Sequence, residues 1–246
     1  KKANTLWIFQ FIIGFLLMFT VGCEKDDDVS EGGTDVLGEI SDTFTDIDGN
    51  VYHTVVIGFQ TWAVENLKTT KYNDGTPIPN VTDDHEWVIV TTGPTAITIT
   101  LKEMLKSTEG YTTLKQQFEY AAPNGWHVAT DDDWTILKDY VEAYASFLNK
   151  YTPARVGPSM ILASKNNWAF SDVFFSPGEA PENNNVTGFT AFPGGYRDNA
   201  GDFRDMGRSG SWWGFFGCCW TLSYNSRYLS RIDALKELVG MGILFV

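Results

Sequence analysis

A short apolar run, residues 6 to 21, ends at Gly22-Cys23 and gives way to acid, and this transition limits how much of the chain can fold. Lys1 and Lys2 precede the run, and Gln10, Gly14 and Thr20 interrupt it. A charged head, an apolar centre and a small-residue end follow the order of a secretory signal. Its sixteen residues fall short of the roughly 18 to 20 that cross a bilayer, and the flank behind it is acidic rather than basic. Residues 1–22 are therefore expected to be a signal peptide. From residue 24 to residue 48 ten acidic side chains stand against one lysine, too polar a stretch to bury a core. Residues 23–43 read as a solvated tether, and residues 44–246 as one domain. With 43% hydrophobic and 15% aromatic residues, that length is enough to bury a core.

The end of the signal resembles the lipobox of bacterial lipoproteins, a small-residue box before an obligatory Cys. Here it is Thr20-Val21-Gly22-Cys23, with Thr20 where Leu is usual. The resemblance implies that Cys23 is the lipidated N-terminus of the mature chain. Several acyl chains make a durable anchor where a single one holds weakly. Behind Glu24, the residues Lys25, Asp26, Asp27 and Asp28 resemble the Lys-plus-acidic export signal of Bacteroidetes lipoproteins. The implied partner is the membrane, reached through the lipid, and the implied location is the cell-surface face of the outer membrane. The absence of an initiator Met is read as a partial or predicted open reading frame.

The net charge of -13 argues against a surface that tracks phosphates, because that affinity comes from clustered Lys and Arg. No nucleic-acid partner is expected. Besides Cys23 the chain has only the neighbours Cys218 and Cys219, which form no disulfide framework. Adjacent Cα atoms lie about 3.8 Å apart, below the roughly 4.4 Å that a relaxed disulfide needs. The pair also lacks zinc-site spacing, and no metal or other cofactor is expected.

Turn residues Asp48-Gly49-Asn50 lie between the β-rich runs 44–47 and 51–57, which predicts a hairpin. Asp46 and Asp48 hint at calcium, but the Gly falls too early for an EF-hand loop and no bidentate Glu follows at the required place. Helices are expected over residues 112–122 and 130–150. In the second, Thr130 with Asp133 forms a capping-box variant, and Trp134, Leu137, Tyr140, Val141 and Tyr144 recur at helical spacing. The remainder is short strands and Gly, Pro and Asn-rich loops, which gives an α+β fold.

These stretches resemble the Fibrobacter succinogenes major paralogous domain found in bacterial surface lipoproteins. The similarity runs through Asp46-Ile47-Asp48-Gly49-Asn50-Val51-Tyr52, Ile57-Gly58-Phe59-Gln60-Thr61-Trp62-Ala63-Val64-Glu65-Asn66-Leu67 and Tyr72-Asn73-Asp74-Gly75-Thr76-Pro77-Ile78. It continues in Gly125-Trp126-His127-Val128-Ala129-Thr130 with Trp134, in Gly188-Phe189-Thr190-Ala191-Phe192-Pro193-Gly194-Gly195-Tyr196-Arg197, and in Ser211-Trp212-Trp213. The resemblance implies a C-type-lectin-like fold, related to formylglycine-generating enzymes: a small antiparallel sheet, two helices and long irregular loops. It implies no particular activity. Residues 93–122 and 231–246 depart from the pattern, and both are read as frameshifted. On that reading the C-terminal tract, ending Gly240-Met241-Gly242-Ile243-Leu244-Phe245-Val246, leaves a core strand missing.

The residues for chemistry are sparse. His53, His85 and His127 have no partner at ligand or triad spacing, and no Gly-x-Ser-x-Gly elbow or phosphate loop is present. Asp131, Asp132 and Asp133 are better explained by a helix start than by paired catalytic acids. Trp126 and Trp134 are expected in the core. The densest aromatic cluster, Trp212, Trp213, Phe215, Phe216 and Trp220, is more core-like than ligand-facing. Even so, Trp212, Trp213 and the nearby Arg197 are the candidate ligand-binding residues. The chain reads as a surface-exposed lipoprotein with a non-catalytic domain that binds or displays toward glycans or surface proteins. The alternative is an enzyme, or a relic of one, on a formylglycine-generating-like scaffold.

Overall fold

The computed structural model describes residues 40–78, 121–198, 200–214, 218–233 and 238–246. All of them fall in one compact unit, Val36–Val246. Cys23, Lys25, Asp26, Asp27, Asp28, His85, Phe215, Phe216, the 94–101 tract and all but the last two residues of the expected helix at 112–122 lie outside them.

The first strand, β1 (Ile40–Thr45), begins inside the stretch read as tether and pairs antiparallel with β2 (Val51–Ile57), which pairs with β3 (Gln60–Ala63). The turn between β1 and β2 closes on Asp46. One carboxylate oxygen accepts from the backbone N–H of Asp48 and Asn50, and the other from the Asn50 amide and the Tyr52 hydroxyl, at 2.8 to 3.0 Å. Burial alone would raise the Asp46 pKa, but these hydrogen bonds outweigh it and hold the carboxyl below its usual range. Asp48 reaches forward instead, to the Thr70 N–H and hydroxyl and to Lys71 at 2.9 Å. The Asp-Ile-Asp-Gly-Asn motif is thus a clamp between the hairpin and the segment after β3.

Helix α1 (Asp131–Tyr151) starts as its sequence predicts, with Thr130 at the N-cap. The Thr130 hydroxyl accepts from the Asp133 N–H at 3.2 Å, and Asp133 accepts from the Thr130 N–H at 2.8 Å. Trp134, Leu137, Val141 and Ala145 form its buried stripe. Tyr140 and Tyr144 are only partly buried, at the border of that stripe. A one-turn helix, α2 (Pro158–Leu162), follows.

Six further strands complete the described architecture: β4 (Tyr196–Asp198), β5 (Phe203–Arg204), β6 (Ser209–Trp213), β7 (Cys218–Ser223), β8 (Ser230–Asp233) and β9 (Leu238–Gly240). They form two more antiparallel sheets in the orders β5-β4-β9 and β6-β7-β8. Small antiparallel sheets with two helices make the fold α+β. Trp62, Trp134, Phe189, Trp212 and Trp220 meet in the main core, with the ring centroids of Trp134 within 6.2 Å of the other four. Trp126, expected in the core, is only half-buried and stacks on Phe44 in a smaller cluster.

The C-terminal tract corrects the expectation of a missing core strand. Residues 242–246 run as an extended segment between three others. The Ala63 and Leu67 N–H groups donate to Phe245 and Ile243 on one side, and the Ala129 N–H donates to Leu244 on the other. His127 and Val246 exchange backbone hydrogen bonds, and Gly242 bonds to Ser211 and Trp213 of β6. Phe245 is fully buried and Leu244 nearly so. Gly242 is required by close approach: a Cβ there would lie 2.8 Å from the Trp212 ring. Apolar side chains of adequate size, whatever frame supplies them, occupy this position; each fully buried one stabilises by about 1.5 to 3 kcal/mol.

Candidate functional site

Two places on α1 gather functional side chains. At its N-terminus Asp131 accepts from the Cys218 thiol at 3.2 Å, the Trp220 indole N–H at 2.8 Å and the Arg231 guanidinium at 2.9 Å. Burial would raise the Asp131 pKa, yet the hydrogen bonds from Cys218, Arg231 and Trp220 lower it further than burial raises it. The same contact works against the thiol. Burial, reinforced by the adjacent carboxylate, pushes Cys218 up to about 12, and burial pushes Cys219 up to about 11. Neither is a thiolate near neutral pH, so neither has the low-pKa sulfur that nucleophilic chemistry requires.

The structure gives two of the histidines partners that their sequence spacing does not show. His53 and His127 do have carboxylate partners: Nδ1 of His53 lies 2.7 Å from Glu65, and Nε2 of His127 lies 2.9 Å from Asp133. In the native fold β2 and β3 lie side by side, which closes the first pair, and the N-cap loop closes the second. His127 and Cys218 sit over the same helix turn but use different carboxylates, Asp133 and Asp131. Both imidazoles are about half exposed, at 49% and 48%, so the pairs are surface contacts.

Towards the C-terminal end of α1 a groove of about 330 Å³ opens between the helix and two loops. Glu142, Ser146 and Asn149 form one wall, Val156, Gly157 and Pro158 another, and Phe175, Arg227 and Tyr228 the third. The walls are locked together. The Asn149 side chain donates to the Val156 carbonyl at 2.7 Å and accepts its N–H at 3.1 Å. Gly157 packs so tightly that a Cβ would stand 2.2 Å from the Phe175 carbonyl oxygen. Phe175 itself has φ of 66°, a left-handed conformation costly for a bulky residue. Its N–H is held by Glu179 at 2.5 Å, and the Arg155 guanidinium lies over its ring.

The Fibrobacter succinogenes major domain model matches residues 55–215. The chain belongs to that family. No curated protein and no solved structure gives a match. The matched span of this family member covers Trp62, Trp134, Phe189 and Trp212 of the core, all of α1 and the Phe175 wall of the groove, while Trp220, Arg227 and Tyr228 lie beyond it.

The residues singled out from the sequence separate. Trp212 is 3% exposed and its indole N–H donates to Asn66 at 2.9 Å, which makes it a core residue. Trp213 is half-buried on the same strand. Arg197 is 8% exposed, donates to the Gly201 carbonyl and lies over the Phe203 ring. None of the three lines the groove. The groove residues carry no sequence motif, because they are single polar or aromatic positions from distant segments. The one local hint was Arg227-Tyr228, a cation beside an aromatic in a loop.

Proposed function

We propose that this member of the family is a surface-exposed lipoprotein whose domain binds without catalysis. Its Cys23 carries the lipid, Lys25, Asp26, Asp27 and Asp28 direct it to the cell-surface face of the outer membrane, and its partners are glycans or neighbouring surface proteins, not nucleic acid. Small antiparallel sheets, two helices and long loops support placing the fold in the C-type-lectin-like group. The observation that carries the binding reading is the division of labour along α1. The reactive groups at its N-terminus are consumed in structural hydrogen bonds, whereas side chains lining the groove near its other end keep hydrogen-bonding capacity among the described residues.

The test is made on cells and on the full-length protein in detergent. Cys23→Ser should release the protein from the membrane or leave it as precursor, and replacing residues 25–28 with Ala should hide it from protease added to intact cells. A glycan array and capture of surface proteins then read binding. Normal retention of Cys23→Ser with lipid incorporated would sink the anchor, and hydrolytic or oxidative turnover of a bound ligand would restore the enzyme alternative.

A further inference from the structure

The groove at the C-terminal end of α1 has a chemical composition specific enough to name a ligand class. This step rests on the reading of the domain as a binding module. Two aromatic residues line it, Phe175 and Tyr228, the latter 51% exposed. Planar rings offer an apolar face to the C–H side of a pyranose, and the adjoining polar groups then meet its hydroxyls. Those groups are of both kinds. Arg227 only donates, and its guanidinium lies over the Tyr228 ring. Glu142 only accepts; one oxygen pairs with Lys138 at 2.9 Å, and the other has no bonded partner among the described residues. The Ser146 hydroxyl donates to the Glu142 carbonyl at 2.9 Å, so its lone pairs remain to accept.

Charge decides what kind of ligand fits. One guanidinium and one carboxylate make the groove close to neutral, and the chain around it carries -13. A polyanion would be repelled at long range and would meet Glu142 at short range. A polycation would meet Arg227. A neutral sugar hydroxyl both donates and accepts, and so satisfies both side chains at once. The groove is also prepared in advance. Asn149 pins Val156, Gly157 is pressed against Phe175, and Phe175 is held at φ 66° by Glu179 and Arg155. Backbone strain of this kind concentrates at ligand clamps, because only a tightly packed surrounding sustains it.

We propose that this groove binds a neutral oligosaccharide, whose pyranose rings lie against Tyr228 and Phe175 while Arg227, Glu142 and Ser146 share its hydroxyls. The full-length protein in detergent is titrated calorimetrically with cellohexaose, xylohexaose, mannohexaose and chitohexaose, and with a polygalacturonate fragment as the anionic control. At least one neutral member should bind, and the anionic control should bind more weakly. Tyr228→Ala should weaken binding by about tenfold and Arg227→Gln by about fivefold, the loss of one well-placed contact each. Phe59→Ala, which removes an aromatic that is 81% exposed and outside the groove, should bind as the wild type does. Circular dichroism checks that each variant folds. Binding that survives both groove substitutions overturns this inference and leaves the binding reading standing. Preference for the anionic control, or binding of no saccharide, also overturns it, and the broader reading is then decided by capture of surface proteins.

Discussion

Near the N-terminus of α1 Trp134 meets Trp62, Trp212, Trp220 and Phe189 in a closed core, while near its other end Phe175 and Tyr228 face an open groove. Both regions are aromatic, yet they differ in what their polar atoms do. In the core the Trp212 indole N–H donates to Asn66 and that of Trp220 to Asp131, so the polar atom of each ring is satisfied. Among the described residues the buried side-chain atoms without a partner are the Trp134 and Trp168 indole N–H groups, Asn184 Oδ1 and Ser209 Oγ. In the groove Arg227, Ser146 and Glu142 keep capacity to spare among the described residues. Aromatic density therefore marks architecture in this domain, and the candidate binding surface lies where the density is lower.

Replacing residues at the two ends should break the symmetry of α1. Trp134→Ala should cost about 3 to 5 kcal/mol of unfolding free energy, much of the stability that such a domain possesses. Chemical denaturation reads it, and a cost under about 1 kcal/mol would mean that the ring cluster is not the core. Phe245→Ala comes next, at about 3 kcal/mol, because it empties a fully buried site in the tail. A near-neutral result would return the tail to the status of a frameshifted appendage.

Asp46→Ala should cost about 2 to 3 kcal/mol, since it strips four hydrogen bonds from one buried carboxylate. The pH dependence has a definite sign. Asp46, Asp131 and Asp133 all titrate below the usual carboxylate range when folded, because hydrogen bonds to the charged form outweigh the burial that opposes it. Unfolded, they bind protons more readily, so their stabilisation is complete above about pH 4 to 5 and is lost as pH falls through the lower folded values. The Tm of the wild type should be flat near neutrality and fall in acid, and Asp46→Asn should lie lower and fall less. A Tm that rises on acidification would refute the assignment. The smallest effect belongs to the groove: Tyr228→Ala should change stability by less than about 0.5 kcal/mol, because its ring is half exposed. A large loss there would make the groove part of the core and end the contrast.

Local signals carried well where the physics is local. Thr130 and Asp133 are three residues apart and cap the same helix, so their spacing suffices to predict the start of α1. Asp46 closes its own turn within six residues, and turn chemistry suffices there too. His53 with Glu65, Asp131 with Cys218 and Trp212 with Asn66 are joined over 12, 87 and 146 residues, and no spacing rule reaches them. Asp131 shows the limit clearly. As a first-turn acid it was legible, but its role as common acceptor for Cys218, Trp220 and Arg231 depends on β7 and β8 crossing the helix end.

The sequence alone determined the α+β class, the hairpin and the capped helix, because each rests on periodicity or on contacts a few residues long, and its motifs carried the resemblance that identifies the family. Tertiary structure alone decided which strand aromatics are buried, since a tryptophan on a strand has two faces and only packing selects one. It also decided that residues 242–246 fill a core position, because an extended tail is stabilised by whatever edges lie beside it, here β3, the 127–129 segment and β6. The groove belongs wholly to this second kind. Glu142, Ser146, Phe175, Arg227 and Tyr228 come together only when α1 and two distant loops are packed, and their unspent hydrogen-bonding capacity is a property of that packing, which no one segment contains.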